Sequence, residues 1–246
     1  MTWEQRYEGA VAPEPGQESP LIPAATVAVL RDHAEGGVEA LMVRRNTKLE
    51  FAGGMWVFPG GRVDQGDRAG LAVDDAEGAA RRAAVREAAE EAGVELDADA
   101  LVWFSHWTPP PIAPKRFGTY FFATAAPTAD LVVTIDGGEI HDHAWMRPRD
   151  AMARRNAREI DLGPPTWITL EELARHETVA AALAEFGARP AEHFATRIAT
   201  VDEHIVAVYD GDVAYDGGDA GAEGGRHRLW MSDGDWRYER DGWSAE

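Results

Sequence analysis

The run from Ala76 to Ala92, closed by Gly93, constrains this chain more than any other segment. An alanine-rich stretch followed by glycine at the natural stop position predicts an α-helix over 76–92. At about 100° per residue, Val85, Ala88, Ala89 and Ala92 fall on one narrow apolar stripe, and Glu87, Glu90 and Glu91 gather on roughly the opposite side. Side chains this small let a helix sit close to a sheet. Like charges one turn apart repel by about a few tenths of a kcal/mol per pair. The solvated face of an acidic protein would account for the triplet. So would a set of oxygen donors for a hard divalent cation such as Mg²⁺ or Mn²⁺, with a backbone carbonyl as a further ligand.

The flanking text supplies the sheet. Thr26–Leu30 and Val38–Val43 are β-rich runs around Gly36-Gly37, a hairpin pair. Met55–Phe58 reads as a short strand stopped by Pro59-Gly60-Gly61, where glycine brings bare backbone close to a ligand. An acidic, glycine-containing loop follows from Asp64 to Asp75. Further strands are expected at Leu101–Trp107, Thr119–Thr124, Leu131–Ile135, His143–Met146, Ile205–Tyr209, Leu229–Met231 and Trp236–Tyr238, the last two joined by Ser232-Asp233-Gly234-Asp235. Pro148 suits the first position of a helix through Arg158. Thr169 with Glu172 forms a capping box for another, and Thr178–Phe186 ends at Gly187. Asp210–Gly225 holds six glycines and reads as a mobile loop. The residues up to Pro20, with Pro13, Pro15 and Gly16, read as a loose N-terminal extension.

A chain of 246 residues with 45% apolar content can bury a full core, yet is too short for more than one large domain or two small ones. Twenty-four basic against forty-three acidic residues leave a formal charge of −19. That balance argues against a nucleic-acid coat and against an anionic membrane face. There is no cysteine, which excludes disulfides, thiolate zinc sites and cysteine nucleophiles and fits a reducing compartment. With no run of about 18 apolar residues and no apolar core to a leader sequence, a soluble, cytoplasmic protein is expected.

Gly61, followed by Arg86-Glu87-x-x-Glu90-Glu91-x-Gly93-Val94, resembles the Nudix box, G-x5-E-x7-R-E-U-x-E-E-x-G-U with U apolar. The resemblance implies an α/β fold, a Nudix-type α/β/α sandwich with a mixed sheet, here carrying a C-terminal helical and β-hairpin extension. It implies hydrolysis of a nucleoside diphosphate linked to another moiety, with Mg²⁺ or Mn²⁺ as cofactor. Carried over by position, Glu87, Glu90 and Glu91 bind the metal, the Gly60 carbonyl adds a ligand, and Arg86 orients the glutamates. Two departures stand out. Glu87 lies 26 residues after Gly61 (87 − 61), eleven more than the fifteen of the strict pattern. The upstream glutamate, expected eight positions before Arg86 and supporting it, is replaced by Gly78; Glu77 is the nearest substitute, with Asp74 and Asp75 as others. The expected division is 1–22 as extension, 23–165 as the Nudix domain and 166–246 as helices and strands packed on the same domain.

Diphosphate oxygens are anionic, and cations must lie between them and so negative a protein. The general base is Glu90 or Glu139, the latter a few positions before Trp145 as family members often place an acidic residue. His141 and His143 alternate on one strand face, but one such pair without a third ligand reads as structural or solvent-facing rather than as zinc ligands. Leu41-Met42-Val43-Arg44-Arg45, Phe58-Pro59-Gly60-Gly61-Arg62-Val63-Asp64-x-x-Asp67 and Pro114-Lys115-Arg116-Phe117-Gly118-Thr119-Tyr120 are similar to the coenzyme A diphosphatase-like branch, although its leucine-arginine-x-histidine stretch is replaced by Lys48-Leu49-Glu50-Phe51-Ala52. Arg44, Arg45, Lys48, Lys115 and Arg116 are the basic residues placed to meet substrate phosphates. Trp56, Trp103, Trp107 and Phe117 either stack a base or pack in the core, and Pro164–Trp167 would wall the pocket. Coenzyme A or acyl-coenzyme A is the first substrate expected; ADP-ribose, a nucleotide sugar or a dinucleotide is the alternative, and a catalytically silent nucleotide-binding module a third. Family members of this size commonly pair as homodimers.

Overall fold

The computed structural model describes residues 13, 14, 17–47, 53–128, 130–135, 137–202, 204–231 and 234–241. Most of the expected N-terminal extension, Lys48 and the Ser232-Asp233 half of the expected tail turn lie outside these residues. The chain divides into two compact units, one formed by residues 22–106 with 119–192, the other by the stretch up to Leu21, residues 107–118 and residues 193 onward.

The first unit is built around β1 (Leu21–Asp32), whose Ala24–Leu30 run is apolar on nearly every position and buried on both faces. β2 (Val38–Arg45) returns antiparallel, with Leu30 opposite Ala40. β3 (Trp56–Val57) and β7 (Ile140–Met146) both pair with β2, and β4 (Gly60–Arg62) pairs with β1. On the other side of β1 come β6 (Arg116–Ala125) and then β5 (Val102–Thr108). Just past β6, the Ala126 N–H donates to the Leu30 carbonyl at 2.7 Å, so the C-terminal ends of β1 and β6 lie side by side and the sheet is mixed.

One face is covered by α1 (Ala76–Ala92), with the bounds its alanines implied. Ala80, Ala83, Ala84, Ala88 and Ala92 are fully buried against Val27, Val29, Leu41 and Val43. The Asp75 carboxylate caps the start, accepting from the Gly78 N–H at 2.8 Å. Gly93, at φ +65, ends the helix: its N–H donates to Ala89, the Val94 N–H donates to Ala88, and the Val94 side chain is buried beneath the turn.

Strand alternation sends Phe104 and Phe121 to the other face, away from Trp103, Tyr120 and Phe122. There the helices α2 (Pro148–Asn156), α3 (Pro164–Leu173) and α4 (Val179–Gly187) follow in the chain, and Phe104 stacks on Phe186 of α4 at 4.5 Å between centroids. Helices on both faces complete the α/β/α sandwich. Pro148 does open α2, and the Thr178 hydroxyl caps α4 by accepting from the Ala181 N–H. The expected capping box at Thr169 is corrected: α3 begins at Pro164 after Gly163, and Thr169 is buried within it. Proline preset for the first helical turn outweighed the local Thr/Glu pattern. Leu131–Ile135 is not a strand. Its side chains pack on the α1 side, but the Thr134 N–H donates to the Ala92 carbonyl at the end of α1 instead of to a ladder.

In the second unit the Thr196 N–H, just past β8 (Glu192–Ala195), donates to the Thr108 carbonyl. β9 (Arg197–Val201), β10 (His204–Val208), β11 (His227–Trp230) and β12 (Arg237–Arg240) form a separate antiparallel sheet in the order β12-β11-β10-β9. The glycine-rich segment before β11 is tied down, contrary to the loose loop expected. Asp212 and Arg228 meet in a two-pronged pair, both contacts 2.7 Å, with side chains 0% and 1% exposed. The Asp212 carboxylate also accepts from the Ala214 and His227 N–H groups.

Candidate functional site

The site is assembled where β4 passes between β1 and α1. The Thr26 hydroxyl donates to the Phe58 and Pro59 carbonyls, and the Val27 N–H also donates to Pro59, fixing the turn into Gly60-Gly61. Neither glycine could carry a side chain here. A Cβ on Gly60 would lie 2.4 Å from the Ala25 carbonyl oxygen, and one on Gly61 would lie 2.4 Å from Glu87 Oε1. Bare backbone thus runs directly over the glutamate face of α1, and the Gly60 N–H donates to Glu91 Oε2 at 2.9 Å.

The three glutamates differ sharply in burial. Glu91 is 6% exposed beneath β4, Glu87 16%, and Glu90 60%. The uniformly solvated face that the helical wheel allows is therefore only partly realised. Burial pushes the Glu91 carboxyl up to about 8, with the charges of Glu87 and Glu139 adding to it against the Gly60 N–H and Arg45. Burial likewise raises Glu87; Arg86 opposes the shift, and Glu90 and Glu139 reinforce it.

Two arginines hold these carboxylates. Arg86 Nη1 donates to Glu87 Oε1 at 2.8 Å and to Glu90 Oε2 at 3.0 Å. Its other edge grips Asp67, Nε to Oδ1 at 3.1 Å and Nη2 to Oδ2 at 3.0 Å, and Nη2 also donates to the Arg62 carbonyl. Arg45 stands 3.6 Å from Glu91 Oε1 and 3.4 Å from Glu139 Oε2. Asn46 anchors the Glu139 loop, its N–H donating to the Glu139 carbonyl and its Nδ2 to the Gly138 carbonyl.

Glu87, Glu90, Glu91, Gly60, Arg86, Arg45 and Glu139 thus come together in the first unit. Arg44 does not join them: it precedes Arg45 on the alternating strand, is exposed, and sits opposite Trp56 and Asp142. Lys115 and Arg116 belong to the second unit, where Arg116 donates to the Pro109 and Ser19 carbonyls and Lys115 Nζ lies 5.9 Å from the Phe117 ring centroid. Trp56, Trp107 and Trp167 are buried packing residues, and Pro164–Trp167 is the first turn of α3. Trp103 packs on Tyr120 at 5.2 Å. His141 is exposed, and the His143 N–H donates to Asp142.

The substitute for the missing box glutamate is corrected as well. Glu77 pairs with Arg81, one turn along its own helix, at 2.6 Å, and Asp75 serves as the helix cap. Asp67 is the residue on Arg86. The sequence shows it only as the second aspartate of Asp64-x-x-Asp67; the contact crosses a loop and has no signature in spacing. The role of Asn46 left no signal at all.

Among the described residues, no three carboxylate or imidazole side chains converge as a ready-made cage. The chemistry of the donors nevertheless suits a hard divalent ion: mutually repelling carboxyls, Glu87 and Glu91 raised chiefly by burial, next to a side-chain-free backbone. An ion there would relieve that repulsion directly.

A family model described as NUDIX domain matches residues 20–167. A solved NUDIX hydrolase from Alicyclobacillus acidocaldarius is 26% identical, with a TM-score of 0.60, over 70% of this chain and 99% of its own. A MutT NUDIX hydrolase from Burkholderia pseudomallei is 20% identical at a TM-score of 0.46, over 62% and 98%. The NUDIX domain of Shewanella oneidensis NrtR, solved with ADP ribose, is 17% identical at 0.47, over 71% and 97%. No curated protein matches the chain.

Proposed function

The chain belongs to the Nudix family of hydrolases, and from that premise we propose that it is a divalent-metal-dependent pyrophosphohydrolase acting on coenzyme A or an acyl-coenzyme A. The observation that carries the metal reading is the pair Glu87 and Glu91, raised by burial and set against the bare backbone of Gly60-Gly61. Glu87, Glu90 and Glu91 would hold the ion, with the Gly60 carbonyl beside them. A bound Mg²⁺ or Mn²⁺ supplies neutralisation of phosphate charge and acidification of bound water. The chain's own residues do the rest. Arg86 orients Glu87 and Glu90 through its Nη1. Arg45 lies between Glu91 and Glu139, the position from which a guanidinium can turn to a phosphate oxygen. Glu139, 62% exposed and held at the backbone by Asn46, can take a proton from the attacking water; Glu90 is the other candidate base.

Support for the coenzyme A branch comes from the run Phe58–Asp67, whose second aspartate reaches the metal-site arginine. A panel of coenzyme A, acyl-coenzyme A, ADP-ribose, nucleotide sugars and dinucleotides, each with Mg²⁺ and Mn²⁺ and analysed by product mass, tests the reading. Phosphopantetheine with 3′,5′-ADP from coenzyme A is expected. AMP with ribose phosphate from ADP-ribose, and nothing from coenzyme A, would replace the substrate and keep the metal core. Binding without hydrolysis of any diphosphate would overturn the enzyme reading.

A further inference from the structure

The box of this chain lacks the carboxylate that should steady its arginine, yet Arg86 is the most firmly held side chain at the site. Its bidentate partner Asp67 is 6% exposed and sits in a short 3-10 turn, Gly66–Arg68, inside the loop that lengthens the spacing. The Asp64 N–H donates to Asp67 Oδ2 at 2.8 Å, so the carboxylate is itself oriented before it meets the guanidinium. The Arg62 carbonyl completes the grip. Only Nη1 of Arg86 remains for the glutamates, and it is divided between Glu87 and Glu90. With Nε and Nη2 fixed by Asp67 and Arg62, the planar fork has one orientation left, and that orientation sets where Glu87 and Glu90 point. At the vacant box position, Gly78 offers no carboxylate, and a Cβ there would collide with the Asp75 cap at 2.4 Å.

We infer that Asp67 is a positioning residue of the metal site, supplied by the lengthened loop in place of the missing box glutamate, and that it acts through Arg86 on Glu87 and Glu90. The claim rests on the metal reading above. It implies that the lengthened loop is part of the site's construction, since cutting it to the strict spacing would remove the turn that presents Asp67.

The test compares the full-length wild type with Asp67→Asn, which keeps the shape and an acceptor but removes the charge, and with Glu77→Gln as the control. Mn²⁺ binding is followed by calorimetry, folding by thermal melting, and Arg86 by its Nε–H nitrogen-15 resonance, assigned through its loss in Arg86→Lys. In Asp67→Asn, Mn²⁺ affinity should fall about 10–100-fold, the range typical of outer partners of metal ligands. The Nε–H resonance should shift from its wild-type position while the protein stays folded. Glu77→Gln should leave both unchanged. Unchanged affinity in Asp67→Asn, or an equal loss in Glu77→Gln, overturns the assignment. If Asp67→Asn does not fold, Asp67→Ser, which keeps an acceptor for the Asp64 N–H, is judged by the same criteria. No Mn²⁺ binding by the wild type would end the metal reading instead; the Nε–H resonance then decides the clamp alone, upheld if Asp67→Asn moves it and overturned if not.

Discussion

Glu87 occupies the space that a side chain on residue 61 would need, so the glycine there is a condition of the site's geometry and not only of the turn. In Gly61→Ala the collision falls on the end of a flexible glutamate, which can swing aside at little cost to the fold. Catalysis does not have that tolerance. A displacement of about 1 Å can cost about 100-fold in rate, and a loss of that order in kcat with a melting temperature near that of the wild type is the expected outcome. Glu91→Gln separates the two properties further. The amide still accepts from the Gly60 N–H, and no buried carboxyl is left to ionise; turnover should drop by at least about 10–100-fold while the metal-free protein melts no lower than wild type. Wild-type turnover in that variant would remove Glu91 from the ligand set. At this scale much of the site was readable, because Arg86, Glu87, Glu90 and Glu91 are fixed by i, i+3 and i, i+4 spacing on one helix. The grip of Asp67 on Arg86 and the approach of Arg45 to Glu91 and Glu139 were not readable, since each contact comes from another segment. Strand alternation also separates Arg44 from Arg45, a consequence that two adjacent arginines conceal until the strand is assigned.

The element that connects fold to function is α1, and the connection is the small size of its buried residues. Ala83, Ala84 and Ala88 have no exposed surface, so nothing larger fits without moving the helix away from Val27, Val29, Leu41 and Val43. Ala84→Leu should destabilise the protein by about 1–3 kcal/mol in denaturant unfolding, the usual cost of overpacking. It should also reduce activity in the protein that remains folded, because the glutamates ride on the displaced helix. Full activity in folded Ala84→Leu would show that the site tolerates a helix shift and would contradict the close-packing account. α1 was legible to its last residue because its alanine-rich text and its terminal glycine agree. Elements with conflicting signals were read less well. Leu131–Ile135 has the apolar content of a strand, but its backbone closes the end of α1. The start of α3 is set by Pro164, while Thr169 and Glu172 offered a plausible start further on. β8 and β9 are short and rich in charged or polar residues, so only the neighbouring strands mark them as sheet.

For the whole molecule, a charge of −19 has to be reconciled with both units. For the first, the proposed function requires cations between an acidic protein and its diphosphate. In the second, the excess includes Asp212, whose partner Arg228 is as completely buried as it is. Burial alone would raise the Asp212 carboxyl, but the Arg228 hydrogen bonds, with the His227 and Ala214 N–H groups, bring it below its ordinary value. A carboxyl that is more acidic in the folded state than in the unfolded one stabilises the fold above its unfolded pKa, about 4, and the contribution is lost as pH falls through the folded value. Amide hydrogen exchange in β10 and β11, corrected for the intrinsic pH dependence of exchange, should therefore accelerate below about pH 4. Asp212→Asn should speed it at neutral pH as well, because Arg228 is left buried without its counter-charge, a loss worth about 3–5 kcal/mol when one partner of such a pair is removed. Replacing both, as Asp212→Leu with Arg228→Met, removes the uncompensated charge and should restore part of the neutral-pH protection while weakening the acid dependence. If the acid acceleration persisted undiminished in that double variant, groups other than Asp212 would be responsible, and the pair would not be what holds the glycine-rich segment in place.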